Sequence, residues 1–195
     1  MRFITVPFAL ALGALPLSRE AAPAAPNLVI DPGRSIVRFT VTKLGFADVT
    51  GTFLESSGDV SYDAARPDAS LIRWRVGVAS VRTDAADRDR SLQSADYFDA
   101  RRCPDLSFES RRVQPRSDGT LSVTGDITIR CRTRPITVTV RPRPGSPGPV
   151  FVADFTLDRY DFDVAGGLIM GRLIGREVRV HVEAATEPAP SRRHR

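Results

Sequence analysis

The feature that most limits the fold of this chain is a strict alternation of apolar and polar residues. In the segment from residue 121 to residue 130, every even-numbered position is polar. The odd-numbered positions of this segment carry the apolar residues Leu121, Val123, Ile127 and Ile129. Successive side chains of a β-strand point to opposite faces, so the pattern predicts a strand with one apolar and one polar face.

The same alternation recurs along most of the chain, with turns such as Ser117-Asp118-Gly119 between the segments. The predicted strands cover residues 35–44, 49–53, 60–62, 71–81, 106–113, 121–129, 136–140, 151–157 and 177–184. We therefore predict an all-β fold of about eight antiparallel strands, a closed barrel or a sandwich, with closure favoured because it removes exposed sheet edges. Such a barrel is just wide enough to be filled by side chains or to hold one slim ligand.

A short helical segment around residues 84–98 interrupts the two-residue period. Thr83 or Asp84 can cap its first turn, and charged residues follow at helical spacing. The group of Asp84, Asp87 and Asp89 lacks the spacing and the glycine of a calcium loop, so no metal site is predicted. Three apolar residues of the segment can fold back onto a barrel mouth: Leu92, Tyr97 and Phe98.

The two ends of the chain differ from its middle. Residues 1–24 have the layout of a secretory signal peptide, with a positive start, an apolar stretch and the small-residue pattern Ala22-Pro23-Ala24. Residues 187–195 are polar and aperiodic, which predicts a disordered tail. One barrel domain is left at residues 27–186, and we expect the mature protein to be periplasmic or secreted.

The charge balance argues against a nucleic-acid-binding protein. The chain has 28 basic and 23 acidic residues, counting Lys and Arg against Asp and Glu. The two end segments, residues 1–24 and 186–195, hold five arginines and two glutamates, so 23 basic and 21 acidic residues remain between them. A domain this close to neutral has no basic surface for a phosphate backbone.

Catalytic motifs are missing from the sequence. It has no nucleophile elbow, zinc-protease helix, phosphate-binding loop or dinucleotide fingerprint. Of the two histidines, His181 is predicted to be a solvated strand residue and His194 lies in the predicted tail. Arg130, Arg132 and Arg134 are interpreted as solvated rim charges, with a phosphate or acidic headgroup site as the lesser alternative. We therefore predict no enzymatic activity and no cofactor.

Cys103 and Cys131 are the only cysteines, and in an exported chain two cysteines can form one disulfide. A hairpin turn centred near Ser117 places residues opposite each other when their numbers sum to about 234. The two cysteines meet this condition, so we predict a bridge between neighbouring strands, against the alternative of two buried thiols.

The apolar faces of the strands should line the interior, and we predict that they contact a ligand. Alternation alone does not distinguish a packed core from a cavity wall. Two alternative functions are therefore kept. One is a filled barrel that serves as a structural or stress-interaction module, and the other is a hydrolase that uses the cavity. The predicted ligand-binding residues are Val37, Phe39, Val41, Val49, Gly51, Phe53, Trp74, Val76, Val78, Leu106, Phe108, Ile127, Ile129, Val138, Phe155, Leu157 and Val180.

An ordered set of short blocks runs through nearly the whole predicted domain. The blocks are DPGRSIVRF at 31–39, KLGF at 43–46, VTGTF at 49–53, SVRT at 80–83, DRDRSLQSADYFD at 87–99, CPDLSF at 103–108, TGDITI at 124–129, RPI at 134–136 and LDRYDF at 157–162. In this order they resemble the YceI-like family, from about residue 28 to residue 185. The resemblance implies an exported, lipocalin-like barrel that binds a polyisoprenoid or an isoprenoid quinone without enzymatic activity.

Further expectations follow from the resemblance. The partner is an isoprenoid or another long-chain amphiphilic lipid, with no nucleic acid and no stable membrane insertion, and a homodimer is allowed. The family usually has His at the positions of Arg34 and often at Arg130, and Gly at Cys131 and Asp163. Asp158 stands where Asn is usual. Arginine keeps a donor and a charge, so an anionic or carbonyl-bearing headgroup is still feasible.

Overall fold

The computed structural model describes residues 27–167 and 170–190, in which eleven strands form one sheet. The strands are β1 Asn27–Ile30, β2 Ile36–Lys43, β3 Ala47–Phe53, β4 Ser56–Ser61, β5 Leu71–Gly77, β6 Val81–Arg82, β7 Asp105–Pro115, β8 Leu121–Ile129, β9 Arg132–Arg143, β10 Val150–Asp158 and β11 Ile174–Pro188. The α-helix α1, Ala86–Gln93, lies between β6 and β7.

The eleven segments form eight continuous strands, because three consecutive pairs are collinear. β1 and β2 both pair with β11. On their other side, β1 pairs with β4 and β2 pairs with β3. In the same way, β4 pairs with β5 and β3 pairs with β6. Each remaining strand pairs with the next along the chain, from β7 to β11, and β5 pairs with β7. All pairings are antiparallel and the ring is closed, so the prediction of an eight-stranded all-β barrel is confirmed.

The connections define two different ends of the barrel. At one end, called here the mouth end, lie the β2–β3 turn, residues 83–104 with α1, the β8–β9 turn, and residues 159–167 and 170–173. At the other end lie the connections over residues 62–70, 116–120 and 144–149. The helical segment was predicted at the mouth, and its Leu92 and Phe98 pack against the buried Phe39 and Phe53 of the barrel wall.

β9 and β11 extend furthest beyond the strands that the alternation predicts. β9 starts at Arg132 because the two-residue turn before it continues the ladder directly, with Ile129 opposite Arg132, and backbone pairing needs no apolar side chain. β11 ends at Pro188, where it pairs with Leu28. The predicted tail is therefore wrong at Glu187 and Pro188. The signal peptide over residues 1–24 and the end of the tail, 191–195, lie outside the described residues.

The predicted disulfide is confirmed, and its predicted register is wrong. Cys103 and Cys131 are bonded, with their Cα atoms 5.5 Å apart. Neither lies in a strand, since Cys103 precedes β7 and Cys131 belongs to the β8–β9 turn. Paired residues of β7 and β8 sum to 235 at Ser107 and Thr128, and to 236 beyond a bulge between Ser110 and Arg112. The bridge therefore links residues 83–104 to the turn.

The start of α1 differs from the predicted capping pattern. Its N-cap residue is Ala85, which supplies no side-chain hydrogen bond. Instead, the Asp89 carboxylate accepts hydrogen bonds from the backbone N–H of Thr83 at 2.8 Å and from its hydroxyl at 2.6 Å. These bonds hold the first turn of the helix against the end of β6.

We expect acid to destabilise the fold through its aspartates. Hydrogen bonds from Thr83 lower the pKa of Asp89, and those from His181 and Arg176 lower the pKa of Asp154 and Asp158. A lowered pKa in the folded state means that the unfolded chain takes up the proton first as the pH falls. This stability is present above the ordinary aspartate pKa of 3.8 and is lost below it. Melting followed by circular dichroism should give a lower Tm at pH 3 than at pH 5; equal values would contradict this.

Candidate binding cavity

An internal cavity of about 240 Å³ lies inside the barrel. It extends from Tyr97 and Phe98 at the mouth end to Val60 and Phe151 near the other end. Within the described part of the chain, only apolar atoms border it. A cavity of this kind favours hydrocarbon over any group that needs a hydrogen bond, because an unpaired polar group in an apolar site loses its hydration without replacement.

Most of the predicted interior residues lie on the cavity wall. Their two-residue period places them on the inner face of the strands, as expected. Those that line the cavity are Val37, Phe39, Val41, Phe53, Trp74, Val76, Leu106, Phe108, Ile127, Ile129, Val138, Phe155, Leu157 and Val180. Their contact with a ligand stays a prediction.

Three predicted residues do not line the cavity. Val49 lies on the part of β3 that pairs only with β2, beyond the short β3–β6 ladder. Val78 is fully buried, but the chain leaves the strand at Gly77 and forms a 3-10 turn, which breaks the alternation. Gly51 faces inward, yet the ring of Phe39 covers it: a Cβ at Gly51 would lie 2.3 Å from Phe39 Cζ. Phe39 therefore fills the space that the missing side chain of Gly51 leaves.

The sequence interpretation missed part of the wall, which has two sources. The first is the inward faces of the strands, where further residues share the alternation of those that were predicted. They are Val123, Ile136, Val140, Ala153, Val178, Val182 and Ala184, together with Ile30, Val60, Ile72 and Phe151. The second is the mouth connections, whose lining residues are Leu92, Tyr97, Phe98, Phe162, Val164 and the first residue of β11, Ile174. Loop residues follow no period, so only Leu92, Tyr97 and Phe98 of the helical segment were predicted to lie at the mouth.

The connection over residues 83–104 covers the mouth of the cavity through aromatic contacts. The ring centroid of Phe98 lies 5.8 Å from that of Phe53 and 6.4 Å from that of Phe39, both edge-on. Phe39 and Phe53 are themselves 5.6 Å apart. Such pairs add about 0.5–1.5 kcal/mol each to the area that they bury. We call residues 83–104 the lid.

A buried arginine organises the other side of the mouth. Arg159 is 6% exposed, and its guanidinium donates hydrogen bonds of 2.6–3.0 Å to the carbonyl oxygens of Val164, Ala165, Gly171, Ile174 and Gly175. Among the described residues it forms no ion pair with a carboxylate. Guanidinium has five N–H groups, and these carbonyls use all of them. Arg159 therefore shapes the β10–β11 connection and has no donor left for a ligand.

The β8–β9 turn joins the lid to the β10–β11 connection. Arg130 donates to the carbonyl oxygens of Ala95 and Asp163, so it is half-buried and bonded where a solvated rim charge was predicted. Arg132 forms an ion pair with Asp163, also at the rim. Cys131 and Asp163 have φ of 56° and 55°. This left-handed conformation favours glycine, the residue that is usual in the YceI-like family at both positions.

Arg34 lies away from the mouth. Its guanidinium donates to Asp31 and to the carbonyl oxygen of Ser146 at 2.7 Å, in the connection at the opposite end of the barrel. Arg34 and Arg130 therefore do not meet at one headgroup. His181, on the outer face of β11, bonds Asp154 through Nδ1 at 2.7 Å and does not reach the cavity.

A closed antiparallel barrel with an apolar cavity beneath a helical lid is a lipocalin-like architecture. No helix in the described ranges has the length and apolar character needed to cross a bilayer. The family model of the YceI-like domain matches residues 28–186. The chain belongs to the YceI-like family.

Known relatives agree with this assignment. A UPF0312 protein of Pseudomonas syringae pv. tomato is 37% identical over 131 residues, which cover 67% of this chain and 68% of that protein. Burkholderia cenocepacia BcnA superimposes with a TM-score of 0.74 at 23% identity, over 80% of this chain and 98% of that one. A polyisoprenoid binding domain from Saccharophagus degradans gives 0.68 at 14% identity, over 86% and 100%. At these identities the structural matches show the shared fold.

Proposed function

We propose that this protein binds a long-chain isoprenoid, either a polyprenyl lipid or an isoprenoid quinone, and carries it outside the cytoplasm. The observation that carries the proposal is the continuous cavity, bordered by apolar atoms alone among the described residues. The Saccharophagus degradans domain of the same fold is described as polyisoprenoid binding. A hydrocarbon chain is the ligand that such a wall selects.

Transfer of the chain from water would supply the binding free energy. Each 100 Å² of apolar ligand surface that is buried contributes about 2.5 kcal/mol. The cavity, at about 240 Å³, is smaller than the roughly 300–1,000 Å³ of typical ligand sites, so a long chain has to displace wall side chains. Phe98 on the lid can move without breaking a strand pairing, because it belongs to a connection and not to a strand. The polar head finds no partner inside and stays at the mouth.

Two alternatives fit the structure less well. A filled barrel that acts as a structural or stress-interaction module would leave no cavity inside. A hydrolase would need polar groups facing the substrate, and the described wall residues that carry such groups, Tyr97, Ser107 and Arg159, expose only apolar atoms to the cavity. Non-enzymatic carriage is therefore our proposal. Export is part of it, supported by the layout of residues 1–24 and by the disulfide, which is typical of oxidising compartments.

Trp74 provides a direct test of binding. It is the only tryptophan of the chain, it lines the cavity, and its buried indole N–H has no hydrogen-bond partner in the described structure. Delipidated protein should change its tryptophan emission when titrated with a polyprenol or an isoprenoid quinone, and quinone should quench it. A straight-chain alcohol of equal carbon number should bind more weakly. Native mass spectrometry of freshly purified protein should show a co-purified isoprenoid. Folded protein that responds to neither isoprenoid would refute the proposal.

Substitution of Gly51 by alanine should narrow the cavity. The new Cβ would meet the ring of Phe39, which has to swing toward the interior. Overpacking of this kind costs about 1–3 kcal/mol of stability, and we expect a several-fold weaker isoprenoid affinity in the Trp74 titration. Gly33→Ala is the matched control, because its Cβ would meet only Asp31 at 3.4 Å. If Gly51→Ala binds as tightly as the wild type, Phe39 does not border the ligand.

A further inference from the structure

The β2–β3 turn carries two exposed apolar side chains at the mouth end. Phe46 is 82% exposed and Leu44 is 50% exposed, whereas the other phenylalanines of the described structure are buried or half-buried. Single exposed apolar residues are common on protein surfaces. Two of them at the tip of one hairpin, beside the entrance of an apolar cavity, are a local feature that needs a partner.

The conformation of the turn adds to this observation. Leu44 has φ of 55° and Gly45 has φ of 78°, both in the left-handed region, and Phe46 N–H closes the turn onto the carbonyl oxygen of Lys43. Positive φ at both central positions is the pattern of a type I′ hairpin turn, which favours Asn, Asp or Gly. Leucine is unfavourable there because of its Cβ. The chain thus places an apolar side chain outward where a polar residue would suit the backbone better.

The tip is continuous with the cavity wall. The backbone N–H of Leu44 donates to the carbonyl oxygen of Leu173 at 2.7 Å, and Leu173 is itself 37% exposed. Lys43, at the base of the turn, is paired with Ile174, which lines the cavity. A surface that received Phe46 and Leu44 would therefore lie against the entrance.

The charges around the tip are predominantly compensated, with two cations left over. Asp48, Asp158 and Asp163 are ion-paired with Arg179, Arg176 and Arg132. Lys43 and Arg172 take part in no ion pair among the described residues. Asp161, which belongs to the same connection as Arg172, has none either, and nor does Glu177, three residues beyond the Ile174 that pairs with Lys43. These two acids offset the two cations, so the net attraction for anions is small. The apolar pair has to supply most of the binding.

We propose that the mouth end docks reversibly on the surface of a bilayer that contains anionic phospholipid, with Phe46 and Leu44 inserted among the lipid headgroups. Lys43 and Arg172 then face lipid phosphates, as basic residues do at membrane interfaces. The inference rests on the proposed function, because it explains how a ligand dissolved in a membrane reaches the cavity. The head that stays outside the cavity would remain at the interface throughout the transfer.

Vesicle sedimentation tests the docking surface without any isoprenoid. Wild-type protein is mixed with phosphatidylcholine vesicles that contain roughly one third phosphatidylglycerol, an anionic lipid that attracts basic residues near the surface. We expect Phe46→Ser to lower the bound fraction at least about fivefold, since it removes the main apolar insertion. Leu44→Asn should lower it as well while keeping or raising the Tm, because Asn suits the left-handed position better.

Leu54→Ser is the matched control, because Leu54 is 59% exposed but lies between β3 and β4, away from the mouth end. Its exposed fraction is close to that of Leu44, and the variant should sediment like the wild type. Equal losses in Leu54→Ser and Phe46→Ser, or no binding of wild-type protein to the vesicles, would overturn the docking proposal.

A second measurement separates docking from ligand binding. Polyprenol is supplied either in the same vesicles or as a cyclodextrin complex without any bilayer, and uptake is followed through Trp74. Phe46→Ser should load several-fold more slowly from vesicles and at the wild-type rate from cyclodextrin. Equal slowing from both sources would overturn docking as the role of Phe46. Failure of wild-type protein to load from cyclodextrin would refute the proposed function instead, whatever the sedimentation shows.

Discussion

Replacement of Arg159 by methionine is expected to lower the free energy of unfolding by about 3–5 kcal/mol, the range of severe single substitutions in a buried hydrogen-bonded network. Methionine keeps much of the aliphatic stem but removes every donor. The carbonyl oxygens of Val164 and Gly171 lose a buried hydrogen bond. Those of Ala165, Ile174 and Gly175 lose a partly buried one. The β10–β11 connection should then lose its fixed shape, and with it the mouth of the cavity.

Urea denaturation followed by circular dichroism measures this effect, and hydrogen exchange locates it. Arg176→Met is the control, because Arg176 is a neighbouring arginine whose side chain is 69% exposed and pairs with Asp158. An exposed ion pair contributes at most about 1 kcal/mol. If the two variants lose equal stability, the carbonyl cluster around Arg159 does not hold the connection.

Removal of the disulfide is expected to have an effect of similar size. Cys103 and Cys131 are separated by 28 residues, and closing a loop of this length stabilises a fold by about 3–4 kcal/mol in the chain-entropy account. The double variant Cys103→Ser, Cys131→Ser should therefore unfold at lower urea concentration. Since the bridge ties the lid to the β8–β9 turn, lid amides should also exchange faster than those of β8.

Reduction of the wild-type protein provides the matched comparison. Dithiothreitol should shift the wild type to the stability of the double variant and leave that variant unchanged. The fold should survive in both cases, because the eight-stranded ladder and the core do not depend on the bridge. A loss below about 1 kcal/mol would show that the reduced unfolded chain is already compact in this region.

The barrel and most of its lining follow from a local rule. In a strand, adjacent side chains face opposite sides, so Phe39, Trp74 and Phe108 could be assigned inward without any knowledge of their neighbours. The same parity also places Val140 and Val182 inward, although they were not among the predicted ligand-binding residues. The cysteine pair also followed from hairpin geometry, since an error of one or two residues in register still leaves two adjacent turns within reach of a disulfide.

The tertiary structure decided what lies between and beyond the strands. Alternation states that Gly51 faces inward, but only the packed barrel shows that Phe39 fills the space above it. The role of Arg159 depends on hydrogen bonds to carbonyl oxygens up to 16 residues away. These carbonyls lie in an irregular connection, so no periodic pattern in the sequence predicts the bonds. The cavity itself is what remains when side-chain volumes from eight strands fail to fill the interior, and that difference depends on all of them at once. The sequence by itself determined the strands and their faces, because these are local properties; the cavity, the mouth and the exposed tip at Phe46 arise from contacts between distant segments.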